Sequence, residues 1–341
     1  MPARIDRALL LNTLQTVPYY SEHWRDLPRE LLFFDPWGID WQRETIKGLQ
    51  LRRGVWRLGE FAFPRTIYNR CFPEPRVVLA KLGERIGEEN IFNQRTQFDK
   101  WEVYLLLKES PAGEYLPSTY LFSPAELSQL LAEHTTLIFK PRRGHGGAGV
   151  FRLELAGPET VLVTNQWYSF PLWGEALYLA LVKAAAPQGV YLVQEYVHSL
   201  ELDGFKFDVR IMLQKDKEGK WTVGGELSRV VRSESLLTNG YQAVVPVSEV
   251  VSGDTLDQLH NLSYRVAEVL DAGLGGLGEL GVDFLLDREG RPWILEVNGK
   301  PDKGLFWRLG DSKMLRRIYL TPLQYQQHLL RSKTSAPGRF S

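Results

Sequence analysis

Residues 138–150 read IFKPRRGHGGAGV, a glycine-rich loop between two apolar stretches. Glycine has no Cβ atom, so backbone N–H groups in such a loop can closely approach the oxygens of a phosphate. Lys140, just before the loop, can add a positive charge to the same site. The loop therefore predicts phosphate binding, and a hairpin tip that binds nothing is the alternative. The glycines expected nearest the phosphates are Gly144, Gly146, Gly147 and Gly149.

Three common nucleotide-binding motifs do not fit this loop. Residues 144–149 match G-x-G-x-x-G, but an apolar alternating run follows where a dinucleotide-binding fold would begin a helix. A P-loop would continue with Lys and Ser or Thr, whereas the next two residues are Val and Phe. A protein kinase would carry Asp-Phe-Gly, but residues 283–285 read DFL. The loop belongs to a different kind of site.

A polar face is predicted on the strand at residues 205–213, which read FKFDVRIML. Alternate side chains of a strand point to opposite faces, so Lys206, Asp208 and Arg210 would lie together. A solvent-exposed face is one explanation of this alternation. A binding face is the other, because two cations beside an acid suit ribose and phosphate groups.

A second polar face is predicted on the hairpin Val282–Val297. Asp283 lies on its first strand, and Glu296 and Asn298 stand two residues apart at the end of its second. Carboxylate and amide oxygens are the ligands that Mg²⁺ prefers, and acids in an apolar hairpin are costly to bury without a cation. The hairpin therefore predicts either a magnesium site or salt bridges to Arg or Lys, and we favour the metal.

Length and composition predict a globular protein of two or three lobes. Its 341 residues exceed one ordinary core, with 44% hydrophobic and 24% charged residues. No apolar run approaches the ~20 residues of a membrane-spanning helix, and the first residues lack a signal peptide's apolar segment. The 41 basic residues balance the 41 acidic ones, which argues against binding nucleic acid or an anionic membrane. Cys71 is the only cysteine and cannot form an intrachain disulfide, which favours the cytoplasm.

Periodicity and turn signals predict an α+β fold with antiparallel sheets. Hairpins are expected at Phe205–Val231 and Val282–Val297, where apolar runs flank polar turns. A helix is expected to open at Ser123, which with Glu126 would form a capping box. The other predicted elements are helices at Asp99–Lys108, Asp254–Asp271 and Leu315–Leu330, and strands at Leu116–Phe122 and Gly189–Val197.

Taken in order, these segments resemble the ATP-grasp superfamily, and most closely the YheC/YheD endospore coat-associated ATP-grasp family. The resemblance covers nearly the whole chain, including Val55-Trp56-Arg57 and Tyr68-Asn69-Arg70. The ATP site is also similar to those of tubulin–tyrosine ligase-like and ribosomal-protein glutamate ligase-like enzymes. The resemblance implies an α/β pre-ATP-grasp domain and two α+β lobes that grip ATP. The implied bounds are 1–95 for the pre-ATP-grasp domain, 96–192 for the lid lobe, 193–332 for the C-terminal lobe with the Mg·ATP site, and 333–341 for a frayed tail.

The resemblance also implies how ATP is held. Lys100 and Lys140 would be the two nucleotide lysines, and the glycine loop would cover the phosphates. The hinge between the lobes would consist of Gln194, Glu195, Tyr196 and Val197, with backbone groups of Glu195 and Val197 reading adenine. Lys206 and Asp208 would serve ribose and phosphates.

Catalytic and metal-binding roles follow from the same resemblance. Arg210, Arg229 and Asn239 would lie near the γ-phosphate, and Mg²⁺ would be held by Asp283, Glu296 and Asn298. The ribose contact is open between Asp208 and Glu201, and we favour Asp208 because it lies on the polar face of its strand.

The implied activity is an ATP-dependent carboxylate–amine ligase that forms an amide through an acyl phosphate. Its partners would be ATP, a carboxylate substrate and an amine acceptor, such as an amino acid or peptide, together with a spore coat. A catalytically silent ATP-binding coat protein is the alternative, because a fold does not guarantee activity. By charge and location, the candidate carboxylate binders are Arg232, Lys300, Lys303 and Arg308.

Overall fold

The computed structural model describes residues 5–11, 13, 16–174, 176–177, 180, 191–232, 236 and 240–332. These residues form three β-sheets with helices packed on them. Two of the sheets are antiparallel and lie in lobes with their own helices, so the predicted α+β class is confirmed. The predicted tail at 333–341 lies outside the described residues. None of the helices in the described ranges is long and apolar enough to cross a membrane.

The first sheet lies in the amino-terminal domain and is partly parallel. Its strands are β1 (Arg7–Leu10), β2 (Glu30–Phe34), β3 (Ile39–Asp40), β4 (Thr45–Arg52), β5 (Val55–Ala62), β6 (Thr66–Asn69) and β7 (Ile91–Phe92). Strand β1 pairs in parallel with β2 and β6, and β6 with β7. Helix α1 (Val17–Glu22) contributes to the core that contains Leu9, and α2 (Arg76–Ile86) to the core that contains Leu10. Both faces of the central strand are thus buried, which gives an α/β domain.

The second sheet forms the lid lobe and is antiparallel throughout. Its strands are β8 (Thr119–Leu121), β9 (Thr136–Pro141), β10 (Phe151–Gly157), β11 (Thr160–Thr164), β12 (Ser169–Trp173) and β13 (Tyr191–Glu195), in the order β12-β11-β10-β9-β13-β8. Helix α4 (Leu127–His134) buries its leucines against Phe139 and Val193. The glycine loop joins β9 to β10.

The start of α4 differs from the prediction. The helix begins at Leu127 rather than at Ser123, and no side chain caps it, so the capping-box prediction was wrong. The Glu126 amide donates to the Ser123 carbonyl at 3.2 Å, which closes a turn before the helix. A proline at residue 124 suits such a turn as well as it suits a first helical turn.

The third sheet forms the C-terminal lobe. Its strands are β14 (Glu201–Leu202), β15 (Phe205–Lys215), β16 (Trp221–Arg232), β17 (Ala243–Val245), β18 (Glu279–Leu286) and β19 (Pro292–Asn298), in the order β17-β16-β15-β18-β19 with β14 beside β15. The two predicted hairpins are confirmed as β15–β16 and β18–β19. Strand β15 therefore lies at the centre, between the strands that carry Arg229 and Asp283.

Helices cover both faces of this sheet. Helix α3 (Lys100–Lys108) and α5 (Gly253–Leu274) share a core with Val209 on one face. Helix α6 (Ser312–Ser332) covers the other face, where Met212 shares a core with Tyr68 and other residues of the amino-terminal domain. Short 3₁₀ helices complete the described chain at Trp24–Asp26, Pro36–Gly38, Glu88–Asn90, Gly113–Tyr115, Val247–Glu249 and Lys303–Leu309.

The apolar cores are not distributed one to each of the three parts of the molecule. The amino-terminal domain and the C-terminal lobe share one core, whereas the core of the lid lobe is its own. Of the residues assigned to the lid, Val103 and Leu107 of α3 lie in the core of the C-terminal lobe. The domain boundaries implied by the resemblance stay a prediction.

A buried ionic cluster also joins the amino-terminal domain to β18. The Glu279 carboxylate, fully buried, pairs with Arg70 and with the Lys303 ammonium at 2.8 Å. Gln214 donates to the same carboxylate at 2.6 Å, and Lys303 also donates to the Tyr68 hydroxyl at 3.1 Å. Burial alone would raise the pKa of Glu279, but the charges of Lys303 and Arg70 outweigh it and lower that pKa.

Candidate functional site

An open cleft lies between the lid sheet and the C-terminal sheet. It collects most of the residues that the sequence singled out, from segments far apart in the chain. The predicted site residues that line it are Lys100, Lys140, Gly144, Gly146, Gly147, Gln194, Glu195, Tyr196, Val197, Lys206, Asp208, Arg229, Asp283 and Glu296.

Among the residues that the structure describes, three predicted site residues do not line the cleft. Gly149, near the end of the loop, contacts Tyr191, and a Cβ atom there would stand 2.9 Å from the Tyr191 hydroxyl. Arg210 is buried beneath Asp283, and Asn298 is half-buried beside that acid. The catalytic role predicted for Asn239 concerns a residue that lies outside the described ranges.

The root of the glycine loop is fixed to the start of helix α3 by Asp99. This carboxylate caps the helix by accepting from the Trp101 amide at 3.0 Å. It also accepts from Arg142 at 3.0 and 2.7 Å and from Arg143 at 3.3 Å, while the Lys100 amide donates to the Arg142 carbonyl at 3.0 Å. We did not predict this contact, although an acid at a helix N-cap and a pair of arginines before the loop are both visible in the sequence.

Beyond this root the loop depends on glycine. Gly146, Gly147 and Gly149 have φ values of 64°, 73° and 73°, a region that other residues adopt only at a cost. The Lys100 ammonium donates to the Gly144 carbonyl at 3.2 Å. One of the two predicted nucleotide lysines therefore bonds directly to the glycine loop.

The two lysines differ in their partners. Lys100 pairs with Glu296 at 3.1 Å, whereas Lys140 donates to the neutral amide oxygen of Gln194 at 2.7 Å. Burial, together with the charge of Lys100, lowers the pKa of Lys140 to about 8. Lys140 is therefore a cation with no carboxylate bonded to it in the described chain, facing the same cleft as the glycine loop.

The hinge offers a backbone donor to the cleft. The amides of Glu195 and Tyr196 are used within the lid, bonding to the Ser118 and Thr136 carbonyls at 2.9 and 3.3 Å. Within the described chain the next amide, that of Val197, makes no hydrogen bond. An amide without a partner at the wall of a cleft suits recognition of a ligand's acceptor atom.

The polar face of β15 is confirmed, and the neighbouring strands complete it. Asp208 lies opposite Arg229 on β16, and Arg210 lies opposite Asp283 on β18. Arg210 donates to both Asp283 oxygens at 2.7 Å. Arg229 bonds to both Asp208 oxygens, at 2.9 Å from its Nε atom, and reaches Asp283 at 3.0 Å. All four side chains are buried, so the two acids and two cations form one balanced network.

This network fixes the charge state of Asp283. Burial alone would raise its pKa, but the charges of Arg210 and Arg229 outweigh burial and lower that pKa to about 2. Of the two interpretations of the sequence, the structure shows the salt bridges of Asp283 to Arg210 and Arg229. Asp283 is an ionised carboxylate at the cleft wall at all physiological pH values.

The three predicted magnesium ligands lie on adjacent strands. Asp283 pairs with Glu296 across β18 and β19, and the Asn298 amide donates to Asp283 at 3.4 Å. The register shifts next to this pair, so that Leu295 is an extra residue and both it and Glu296 face the cleft. Over the described residues there is no cluster of three His, Cys, Asp or Glu side chains that could hold a metal alone. The donors nevertheless match the oxygen chemistry of Mg²⁺, which commonly takes its remaining ligands from water and phosphates.

The two candidates for the ribose contact, Asp208 and Glu201, differ in how far they are buried. Asp208 is 1% exposed and lines the cleft, with both oxygens engaged by Arg229. Glu201 is exposed and lines a smaller polar cleft next to the hinge, together with Lys206. The preference for Asp208 stays a prediction.

Apolar residues of the cleft wall were not predicted. Ile138, Leu236, Leu285 and Leu295 line the cleft together with the polar groups. A planar ring with polar edges would fit between such side chains and the hinge amide. The position of Leu295 could be predicted only by someone who knew of the bulge, because regular alternation would place it on the face opposite to Glu296.

Fold and cleft together define an ATP-grasp protein: two α+β lobes face each other across a glycine loop, a hinge and a polar sheet face. The solved structure of the ATP-grasp ligase PsnB complexed with minimal precursor has the same fold, with a TM-score of 0.59 at 18% identity, covering 94% of this chain and 99% of that one. A family model described as YheC/D like ATP-grasp matches residues 88–329. The chain belongs to this family, as the resemblance in the sequence indicated.

Two Bacillus subtilis (strain 168) proteins are similar over most of the chain. The endospore coat-associated protein YheD is 29% identical over 289 residues, which cover 79% of this chain and 63% of YheD. The endospore coat-associated protein YheC is 28% identical over 315 residues, 83% of each chain. The chain thus spans less than two thirds of YheD but most of YheC.

Proposed function

We propose that this chain is an ATP-dependent carboxylate–amine ligase that binds Mg·ATP in the cleft between its lid and C-terminal lobes. The observation that carries the proposal is the convergence of two lysines, a glycine loop and two carboxylates on one cleft. Family membership and the likeness to a solved ATP-grasp ligase support it.

In this proposal the nucleotide lies with adenine at the hinge and phosphates under the glycine loop. The Val197 amide is the donor left over for adenine, and Ile138 and Leu285 provide apolar walls. Lys100 and Lys140 face the phosphates, with Lys140 already lacking a carboxylate partner. Lys206 and Asp208 take the ribose side, as the resemblance implies.

Magnesium would be held by Asp283, Glu296 and Asn298, whose oxygens suit a hard cation. When bound, Mg²⁺ would offset the charge on the transferred phosphoryl group. Arg229, which lines the cleft and bonds to Asp283 at 3.0 Å, would face both that acid and the phosphates, and the buried Arg210 would act on the phosphates through its charge. The two arginines thus balance the charges of Asp208 and Asp283 and add positive charge beside the phosphates.

The proposed chemistry needs position and charge rather than a covalent protein intermediate. An oxygen of the substrate carboxylate attacks the γ-phosphorus, ADP leaves, and an acyl phosphate forms. The amine then attacks the acyl carbon, phosphate leaves, and the amine nitrogen loses a proton. Lys100, Lys140, Arg210 and Arg229 offset the developing charge, while the lid excludes water from the acyl phosphate.

Trapping of the acyl phosphate tests this function. Purified protein, Mg·ATP, a panel of acids and hydroxylamine should give a hydroxamate and ADP. Asp283→Ala and Glu296→Ala should abolish both products. Nucleotide binding without ADP release across a broad panel would contradict the ligase and support the catalytically silent alternative. Failure to bind Mg·ATP at all would contradict both.

The cellular setting is part of the proposal. Both curated relatives are named endospore coat-associated proteins, which supports action in a sporulating cell. Cys71 is the only cysteine of the chain and is buried, and a lone thiol is compatible with a reducing cytoplasm. A fluorescent fusion followed through sporulation should be cytoplasmic before it reaches the spore, and uniform labelling of vegetative cells that never changes would contradict spore association.

A further inference from the structure

The four basic residues considered as carboxylate binders fall into different surroundings. Lys303 is fully engaged with Glu279, and the exposed Arg308 stacks on the Tyr241 ring at 5.1 Å from its centroid. Arg232 is exposed at the end of β16. Lys300 is half-buried, and across the described ranges it has neither a hydrogen bond nor an ion pair.

The backbone around Lys300 is fixed on both sides. Asn93 donates to the Gly299 carbonyl at 3.3 Å, and Arg70 donates to the Pro301 carbonyl at 3.3 Å. Both donors belong to the amino-terminal part of the chain and are buried. Lys300 is therefore held in place by its neighbours, and its side chain meets no partner of opposite charge within hydrogen-bonding distance.

The Phe72 ring links the ammonium of Lys300 to the glycine loop. It stands 5.8 Å from the centre of the Phe72 ring, and that ring meets the His145 imidazole edge to face at 5.1 Å. His145 lines the cleft and follows Gly144, whose carbonyl is bonded to the Lys100 ammonium. Three parts of the chain thus meet here: the loop after β6, the glycine loop and the end of β19.

A half-buried ammonium with no carboxylate bonded to it is incompletely compensated, since Asp302 and Glu279 act on Lys300 only through their charge. An aromatic ring compensates only a part of the lost hydration, and a carboxylate would compensate it fully. The reacting carboxylate must be free to attack the γ-phosphorus. A cation on a fixed backbone is better suited to a carboxylate that does not react and only positions the molecule.

We propose that Lys300, with the Phe72 ring and the His145 imidazole, binds the non-reacting carboxylate of a dicarboxylic substrate. This inference rests on the proposed function for the identity of the reaction, and it adds the substrate class. The site accepts an acid with a second carboxylate a few bonds from the first, and it discriminates against monocarboxylic acids.

Binding measurements with glutarate as the probe test the inference. Calorimetry would follow glutarate, and butyrate as the monocarboxylate, on protein saturated with Mg²⁺ and a non-hydrolysable ATP analogue. Lys300→Gln should weaken glutarate binding about ten- to a hundredfold, as expected for loss of a charged hydrogen bond. Lys300→Arg should retain most of the affinity, and Lys313→Gln is the matched loss of an exposed lysine charge that should change nothing.

Nucleotide affinities separate substrate binding from phosphate binding. Mg·ADP and the Mg·ATP analogue should bind Lys300→Gln and the unmodified protein within about twofold of each other. Weaker binding of the triphosphate alone would place Lys300 at the γ-phosphate and overturn the inference. Equal glutarate affinity in both proteins, or no saturable glutarate binding, would overturn it too. If no nucleotide binds, the proposed function fails, and the same glutarate titration on nucleotide-free protein still decides the role of Lys300.

Discussion

Replacing Asp99 by Asn would test whether this residue fixes the glycine loop or merely caps a helix. Asparagine is also a good N-cap, so Oδ1 can still accept from the Trp101 amide. The amide that replaces Oδ2 cannot accept from Arg142 and Arg143, which reach that oxygen at 2.7 and 3.3 Å. The substitution therefore removes two of the three hydrogen bonds to the arginines together with the negative charge, and it keeps the cap and the 3.0 Å bond from Arg142 Nε to Oδ1.

The magnitude follows from the burial of the partners. The Asp99 side chain is 5% exposed, that of Arg142 is 28% exposed and that of Arg143 is 56% exposed. A hydrogen bond to a charged group contributes about 1.5–3 kcal/mol, whereas an exposed ion pair contributes about 0–1 kcal/mol. We assign the effect to Arg142 and expect a loss of about 1.5–3 kcal/mol in the free energy that holds the loop root, or about ten- to a hundredfold.

Amide hydrogen exchange measured by NMR reports this opening directly. The Lys100 amide donates to the Arg142 carbonyl at 3.0 Å, so its protection should fall by about ten- to a hundredfold. The Val103 amide, bonded to the Asp99 carbonyl, is the internal control and should not change. Arg142→Gln should give a similar loss, and the double variant should add little to either single one.

Unchanged protection would refute this reasoning. If the Lys100 amide exchanges within about twofold of its original rate in Asp99→Asn, the bonds to Arg142 do not hold the loop, and Asp99 acts as a cap alone. A parallel loss at the Val103 amide would mean that the helix start has opened instead.

Three further predictions concern the buried cluster, a titrating lysine and the loop. Glu279→Gln leaves two cations in a buried site, and the free energy of unfolding in urea should fall by about 3–5 kcal/mol. Lys140 is protonated below about pH 8 in the free protein, and phosphates favour the charged form, so calorimetric affinity for Mg·ATP should fall as pH rises through about 8. Gly149→Ala, at φ 73° with its Cβ 2.9 Å from a hydroxyl, should destabilise the ordered loop by about 1–2 kcal/mol, seen as faster amide exchange at Val150.

Each of these predictions has a matched control. Glu289→Gln, in an exposed turn, should leave unfolding unchanged, and an equal loss there would contradict the cluster's role. Lys140→Met should bind more weakly but lose the change near pH 8, and a persisting change would assign it to another group. Gly146→Ala has a similar φ of 64° with nothing within 4 Å, so it should cost less than Gly149→Ala, and the reverse order would count against the close contact.

Local patterns predicted the elements of the C-terminal lobe. Alternation over residues 205–213 and apolar spacing over Asp254–Asp271 depend on neighbours in the chain, and β15 and α5 follow them. The same alternation placed Asp208 and Arg210 on one face, which the structure confirms. Where one face of an element is buried, the spacing of apolar residues is enough to predict the element and which side chains share a face.

Pairings between strands could not be predicted from these patterns. Arg210 meets Asp283 because β15 and β18 pair in one register, and Leu295 turns to the cleft because of a bulge. Each depends on contacts between residues far apart in the chain. Arg70 and Glu279 are 209 residues apart in the chain. The segment Tyr68-Asn69-Arg70 resembles a family motif, but that resemblance did not indicate that Arg70 would pair with a buried acid.

The cluster around Glu279 bears on how this protein can be divided. A fragment cut to residues 88–329 would lack Arg70 and Tyr68. Glu279 would lose its bond from Arg70, and Lys303 would lose its bond to the Tyr68 hydroxyl. It would also lose part of the apolar cover over the sheet that carries the cleft. Chimaeras that exchange amino-terminal segments between relatives should therefore transplant both halves of the ionic contact together.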